Sequence, residues 1–288
     1  MEQNAICYVN GAFVRAAQAK ISIFDRAFLF ADGVYEVAAV LDGKLVDVDA
    51  HLARYERSLA ALQMQPALTR AALVAVMREI VARNALDEGL VYIQQTRGAP
   101  LERDFPFPAD AVQPTLVLFA HKKPVIGAVA AAKGVAVKSV ADRRWARRDI
   151  KSVSLLAQVL AKQEARAAGC AEAFLVEDGF VTEGAASTAF IVTRTGQIVT
   201  RALSHAILPG CTRIAVMRLA EEAGLSVVER AFSIEEAQGA AECFITSATT
   251  FVTPVVMLDG RPIGSGAPGP VAQRLRALYI ETARQTAQ

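Results

Sequence analysis

Lys151 stands in the stretch WARRDIKSVSLLAQ. Four arginines, Arg143, Arg144, Arg147 and Arg148, crowd in before it, and an apolar run with helical spacing, SVSLLAQVLAKQEARAAG, follows. A cation entering the first turn of a helix meets the positive end of the helix dipole, and neighbouring cations add to the cost of its charge. Such a place favours the neutral amine, a nucleophile that can condense with an aldehyde. The same residues also read as a solvated basic patch, and the lysine alone does not choose between the two.

Two further segments could hold an anion. In PGCTRIAV, Gly210 lets backbone N–H groups come close to a ligand, Thr212 offers a hydroxyl at the predicted cap, and the following helix turns its positive end outward. ITSATT, residues 245–250, ends a strand with hydroxyls that could serve the same anion. Taken singly, each is an ordinary cap or turn. A reactive lysine accompanied by two such cradles suits pyridoxal phosphate.

Composition narrows the alternatives. Only three histidines, His51, His121 and His205, are present, and the four cysteines, Cys7, Cys170, Cys211 and Cys243, lie far apart with no CxxC pair. That argues against a metal centre, a disulfide framework and a histidine-based triad, and it shifts the chemistry towards an organic cofactor. The 288 residues are 53% hydrophobic with a formal charge of +2 spread along the chain, so nucleic acid is not the expected partner. The start, MEQNAICYVNG, has no basic leader, and no stretch approaches the roughly 18 to 20 apolar residues of a membrane span. A cytoplasmic protein is the simplest reading.

The elements that must position these residues are marked by turns and periodicity. Hairpins are predicted at Asn10-Gly11, Asp42-Gly43 and Asp178-Gly179 between strand-like flanks. Asp49 is the predicted cap of a helix carrying Leu52, Tyr55, Leu59 and Leu62, and Thr69 that of a second, RAALVAVMREIVARN. Another helix is expected from about Ser154 to Ala168. The mixture of antiparallel hairpins and helices implies an α+β fold. The expected division is a smaller N-terminal domain, residues 1–121, a linker over 122–134 rich in proline, glycine and alanine, and a larger domain, 135–288.

Taken in order, FADGVYE, HLARY, RWARRDIKS with its LL, VTEGAAS, LPGCTR and ITSATT resemble the fold type IV pyridoxal 5′-phosphate enzymes, most closely their D-amino acid aminotransferase branch. The resemblance runs from about residue 6 to 280. It implies a two-domain homodimer with the cofactor at the domain interface, acting on amino acids and 2-oxo acids. Lys151 then looks like the residue that binds the cofactor and moves the proton. Glu183 looks like the carboxylate facing the pyridine nitrogen, and Arg54 like the phosphate-binding arginine. Ser187, Leu208, Cys211, Thr212, Ala248 and Thr249 fall where the family contacts the cofactor.

For the substrate pocket, the resemblance implies Tyr35, Val37 and Tyr92. In TRGAPLERDFPFP, Arg103 falls at the family's carboxylate-binding arginine and Phe105 where a histidine is expected; in the alternative register Arg103 takes the histidine position. The implied reaction moves an amino group from a D-amino acid such as D-alanine to a 2-oxo acid such as 2-oxoglutarate. The rivals are a branched-chain L-amino acid or (R)-amine transaminase, an aminodeoxychorismate lyase and, from another class, a non-catalytic anion-binding protein.

Overall fold

The computed structural model describes residues 4–108 and 112–288. The chain gathers into two units, one running up to Pro124 and adding Ile150–Ser154 and Thr286–Gln288, the other comprising Val125–Asp149 and Leu155–Gln285. The units therefore interleave along the sequence, whereas the expected division put residues 150–154 in the C-terminal domain.

The first unit runs β1 (Ile6–Val9), β2 (Ala12–Arg15), α1 (Arg26–Phe30), β3 (Gly33–Leu41), β4 (Lys44–Leu45), α2 (Val48–Ala61), α3 (Arg70–Arg83), β5 (Gly89–Thr96) and β6 (Leu116–Lys122). Its strands form one antiparallel sheet in the order β2-β1-β6-β5-β3-β4. The hairpins turn at Asn10-Gly11 and Asp42-Gly43, where both residues of each pair hold the positive φ that a tight two-residue turn requires. Alternation along β3 sends Val34, Ala38 and Val40 into a core with Leu52, Tyr55 and Leu59 of α2 and Leu73, Met77 and Ile80 of α3. Each Val, Leu, Ile or Met side chain among them contributes about 1.5–3 kcal/mol on burial.

β4 covers only Val40 and Leu41, so the start of β3 is left as an open edge. Residues 151–153 pair there: Tyr35 N donates to Lys151 O, Val153 N to Gly33 O, and Val34 bridges to Ser152. An unpaired strand edge is a template for another strand, and this one captures the lysine segment.

In the second unit, α4 (Val129–Lys133), β7 (Val135–Ala141), α5 (Leu156–Ala167), β8 (Glu172–Glu177), β9 (Phe180–Gly184), β10 (Thr188–Val192) and β11 (Ile198–Thr200) come first. They are followed by α6 (Cys211–Glu222), β12 (Val227–Glu229), α7 (Ile234–Gly239), β13 (Glu242–Ser247), β14 (Phe251–Leu258), β15 (Arg261–Pro262) and α8 (Pro270–Thr286). The sheet order is β12-β11-β10-β13-β14-β7-β8-β9, with β15 on β14. The β11–β12, β14–β7 and β7–β8 pairs are parallel.

The predicted local signals meet with uneven success. Thr69 caps α3 by accepting from Ala72 N. Asp49 lies inside the first turn of α2, whose cap is Asp47 at φ +51°. Thr212 is the second residue of α6, which is capped by Gly210 without a side-chain bond. The predicted linker contains α4.

Candidate active site

Lys151 is not in a helical first turn. Helix α5 begins five residues later, at Leu156, because the backbone of 151–153 is already committed to the edge of β3. Nor are Arg144, Arg147 and Arg148 bare cations: they bond to Asp142 and Glu183, to Asp149, and to Asp142 and Glu177 respectively. What fixes Lys151 is its backbone. The carbonyl accepts from Tyr35 N at 3.0 Å, and the amide donates to the buried Ser58 Oγ of α2 at 3.2 Å. The half-buried side chain reaches over the Tyr35 ring, Nζ lying 4.1 Å from the centroid. An aromatic face attracts a cation placed over it, which holds the end of this side chain on Tyr35.

The register of β3 against β5 assembles the neighbouring surface. Tyr35 and Val37 share one face of β3, and Val37 is opposite Tyr92. Tyr35 stacks on Tyr92 at 5.7 Å between centroids, and Tyr92 stacks on Phe119 at 4.6 Å. Burial, with Tyr35 adding to it, pushes the Tyr92 phenol above its ordinary range, so it stays protonated and donates to Gln94 Oε1 at 2.8 Å. The expected substrate-side trio of Tyr35, Val37 and Tyr92 is thus contiguous and adjoins Lys151.

Glu36 points to the opposite face of β3, into the core against α2. Both its oxygens are engaged by Arg54, Nε to Oε1 at 2.7 Å and Nη2 to Oε2 at 2.8 Å, and His51 Nδ1 lies 2.9 Å from Oε2. Burial would raise this carboxyl, but Arg54 and His51 outweigh it and hold it well below the ordinary carboxylate range. Arg54 is therefore a buried guanidinium oriented by a two-point pair, a geometry that fixes the plane of the fork.

In the second unit, Glu183 at the end of β9 is buried. Its carboxylate accepts from Arg144 Nη1 and from the Leu208 backbone N–H, at 3.1 and 3.2 Å from that amide to the two oxygens. Arg144 is in turn held by Asp142 through Nε at 2.9 Å and Nη2 at 2.7 Å, and Thr182 Oγ1 donates to the same aspartate. Burial pushes the Glu183 carboxyl above its usual value, against the opposing pull of Arg144 and the Leu208 amide. A carboxyl balanced in this way is well suited to holding or sharing a proton with a basic ring nitrogen.

The hydroxyl candidates divide. Thr212 Oγ1 is buried with no hydrogen-bond partner among the described residues, beside the uncapped first turn of α6 that begins at Cys211. Thr246 Oγ1 in ITSATT is likewise buried and unpartnered. Orphaned buried hydroxyls are costly unless a ligand completes them, and an uncapped helix start attracts an anion. Other members are already engaged: Ser187 Oγ donates to Glu172 Oε2 at 3.1 Å, and Thr249 Oγ1 pairs with Ser247 Oγ at 3.1 Å. Ala248 has no side-chain donor. In the first unit an amine on an aromatic face and a fixed guanidinium, and in the second a buried carboxyl and an incomplete anion cradle, are groups of the kinds that pyridoxal 5′-phosphate calls for.

Arg103 and Phe105 both pack on Phe30 of α1. The Arg103 guanidinium sits 5.0 Å from the Phe30 centroid and 5.4 Å from that of Phe105, and the two rings are 5.2 Å apart. Phe105 is 73% exposed.

The profile of the Amino-transferase class IV family matches residues 33–258. The chain belongs to this family. It is an aminotransferase with the fold type IV architecture. It is 38% identical over 281 residues to a D-alanine aminotransferase of Bacillus licheniformis, covering 97% of this chain and 98% of the relative. With that of Staphylococcus aureus (strain N315) it shares 36% over 280 residues, 96% and 98% of the two chains. Among solved structures, a T.th. branched-chain amino acid aminotransferase with pyridoxamine 5′-phosphate superposes with a TM-score of 0.88 at 28% identity, covering 98% of this chain and 95% of that one. The Escherichia coli branched-chain enzyme, at 24% identity, gives 0.91 over 97% and 95%, a likeness of fold.

Glu36, Ser58, Asp142 and the pairing role of Arg144 in this aminotransferase escape a reading of the sequence alone. Two signals were available. Glu36 alternates in phase with Val34, Ala38 and Val40, so a carboxylate had to enter the core and find a cation. His51, Arg54 and Ser58 recur at helical spacing beside the apolar stripe of α2, which turns them inward.

Proposed function

We propose that this aminotransferase moves the amino group of a D-amino acid, D-alanine in the first instance, to a 2-oxo acid such as 2-oxoglutarate, in two half-reactions. Pyridoxal 5′-phosphate, when bound, holds the amino group between half-reactions and withdraws electrons from the substrate's Cα. Lys151 Nζ would hold the cofactor through its aldehyde carbon and, when free, would carry the proton between the substrate Cα and that carbon. Glu183 keeps a proton on the ring nitrogen, with Arg144 and Leu208 N–H holding its carboxyl in place. Arg54, Cys211, Thr212, Ala248, Thr249 and Ser187 would hold the phosphate and ring. Tyr35, Val37 and Tyr92 form the substrate wall, and Arg103 receives the substrate carboxylate, with the apolar ring of Phe105 beside it.

The observation that carries this reading is the seat of Lys151, its backbone bonded on both sides and its amine over Tyr35. The full-length similarity to D-alanine aminotransferases supports the D hand of the substrate. A second reading, transfer from a branched-chain L-amino acid or an (R)-amine, is favoured by one feature: an apolar ring at Phe105 instead of a hydrogen-bond donor. Half-reactions of the cofactor-loaded enzyme with D-alanine, L-leucine and (R)-1-phenylethylamine separate the two. Pyridoxamine phosphate forms fastest from D-alanine; its appearance from L-leucine alone would overturn the assignment.

The enzyme is further proposed to be a cytoplasmic homodimer. No helix among the described residues is long and apolar enough to cross a membrane. The first unit exposes Ile21, Ile23, Phe28, Leu101 and Phe107, a density of surface apolar side chains that supports association. Light scattering should give the mass of two chains, and Phe28→Asp should shift it towards one; a one-chain mass for the native enzyme rejects the dimer.

A further inference from the structure

The segment Leu101–Phe107 has little core of its own: Leu101, Phe105 and Phe107 are all exposed. Its backbone is nevertheless pinned from below by a single buried side chain. Arg26, the first residue of α1, donates from Nη1 to Asp104 O at 2.6 Å and Pro106 O at 3.2 Å, and from Nη2 to Phe105 O at 3.1 Å. Its Nε is taken by Asp32 Oδ2 at 2.7 Å. Asp32 also receives Arg97, Nε at 2.8 Å and Nη2 at 3.1 Å, and the Arg97 guanidinium lies 3.6 Å from the centroid of Phe107 at the end of the loop. Burial would raise the Asp32 carboxyl, but the two guanidinium groups hold it below its ordinary range, so it stays ionised as their shared anchor. Arg26 also stacks on Phe30, 4.8 Å from the ring that carries Arg103 on its face.

Three consecutive carbonyls converging on one fork fix the path of the chain through 104–106 more tightly than surface packing could. Arg103, next in sequence and lodged on Phe30 and Phe105, inherits its direction from that path. We propose that Arg26, seated by Asp32, is a positioning residue for substrate recognition: it sets the orientation of Arg103 towards the substrate carboxylate and touches no substrate itself. This rests on the reading of Arg103 as the carboxylate ligand. A lysine at position 26 keeps the charge but cannot serve three carbonyls and Asp32 from a planar fork, so loop geometry is lost without removing the cation.

The experiment is a double-mutant cycle on the holoenzyme with Arg26→Lys, Arg103→Ala and the pair. The readouts are KM and kcat for D-alanine, inhibition by propionate as an unreactive carboxylate, and cofactor titration by absorbance. Arg26→Lys is expected to raise KM and the propionate inhibition constant by about 10-fold, with kcat within about 3-fold and cofactor affinity unchanged. In the Arg103→Ala background the same substitution should have no further effect on KM, since the two act through one contact. Additive KM effects, or an Arg26→Lys enzyme with native KM, overturn the inference while leaving Arg103 as ligand. An Arg103→Ala enzyme with native KM overturns the reading of Arg103 itself and the inference with it. Should Arg26→Lys fail to fold, Asp32→Asn, which removes the anchoring charge at constant size, replaces it in the cycle with the same expectations.

Discussion

Lys151→Ala is expected to lower transamination by about 10⁴-fold, the upper end of the range for loss of a positioned proton-transfer group, while leaving the melting temperature nearly unchanged. The reason for the second half lies in the backbone. The bonds that seat this residue run from Tyr35 N to its carbonyl and from its amide to Ser58 Oγ, and alanine keeps both. The side chain is half-buried over Tyr35, so its removal opens no core cavity. Methylamine in the assay should restore part of the rate by supplying the missing base from solution. Stopped-flow measurement of 2-oxo acid formation reads both effects, and a variant keeping a tenth of native turnover would remove Lys151 from the chemistry.

Glu36→Gln is the second large effect. Removing one partner of a buried ion pair costs about 3–5 kcal/mol. For a chain of this size that lowers the melting point by about 10 °C. The Glu36 carboxyl is held below its ordinary range by Arg54 and His51 against the opposing effect of burial. A lowered folded value means its contribution is complete above the unfolded carboxylate value of about 4.3 and is lost as pH falls through the lower folded value. Wild type and variant should therefore differ most near neutral pH and converge as the solution is acidified below about pH 4. Cofactor affinity should weaken as well, because a neutral amide side chain cannot hold the Arg54 fork in the plane that the carboxylate imposes. Thermal melts across pH with a cofactor titration measure all three, and an unchanged melt at neutral pH would show that the pair stabilises nothing.

Much of this protein was legible before its fold. Turn dipeptides announced the hairpins, Thr69 announced α3, and the ordered motifs around Lys151, Glu183 and Thr212 pointed to a phosphorylated aldehyde cofactor. The hairpins and the α3 cap follow from rules acting over a few residues, positive φ at Asn-Gly and a side-chain oxygen satisfying a first-turn N–H, whereas the role expected of Glu183 came only from the resemblance of the ordered motifs to a family. The predicted caps at Asp49 and Thr212 missed by two residues because a left-handed Asp47 and an uncapped Gly210 begin those helices instead.

What lay beyond the sequence is the choice of partners for charges taken out of water. The local reading assigned Lys151 to a helix dipole and to a crowd of arginines; the fold seats it on the open edge of β3 and gives Arg144, Arg147 and Arg148 carboxylates of their own. Arg54 meets Glu36 across 18 positions, Arg144 meets Glu183 across 39, and Arg26 reaches the carbonyls of the Arg103 loop across 78 to 80. Sequence determines that a lysine, a buried acid and a set of guanidinium groups are present, because residue type and local spacing are written in it. Which of them are oriented to act is decided only in the tertiary structure, because a buried charge takes the complementary group that sheet register and helix packing bring within hydrogen-bond reach, whatever their distance along the chain.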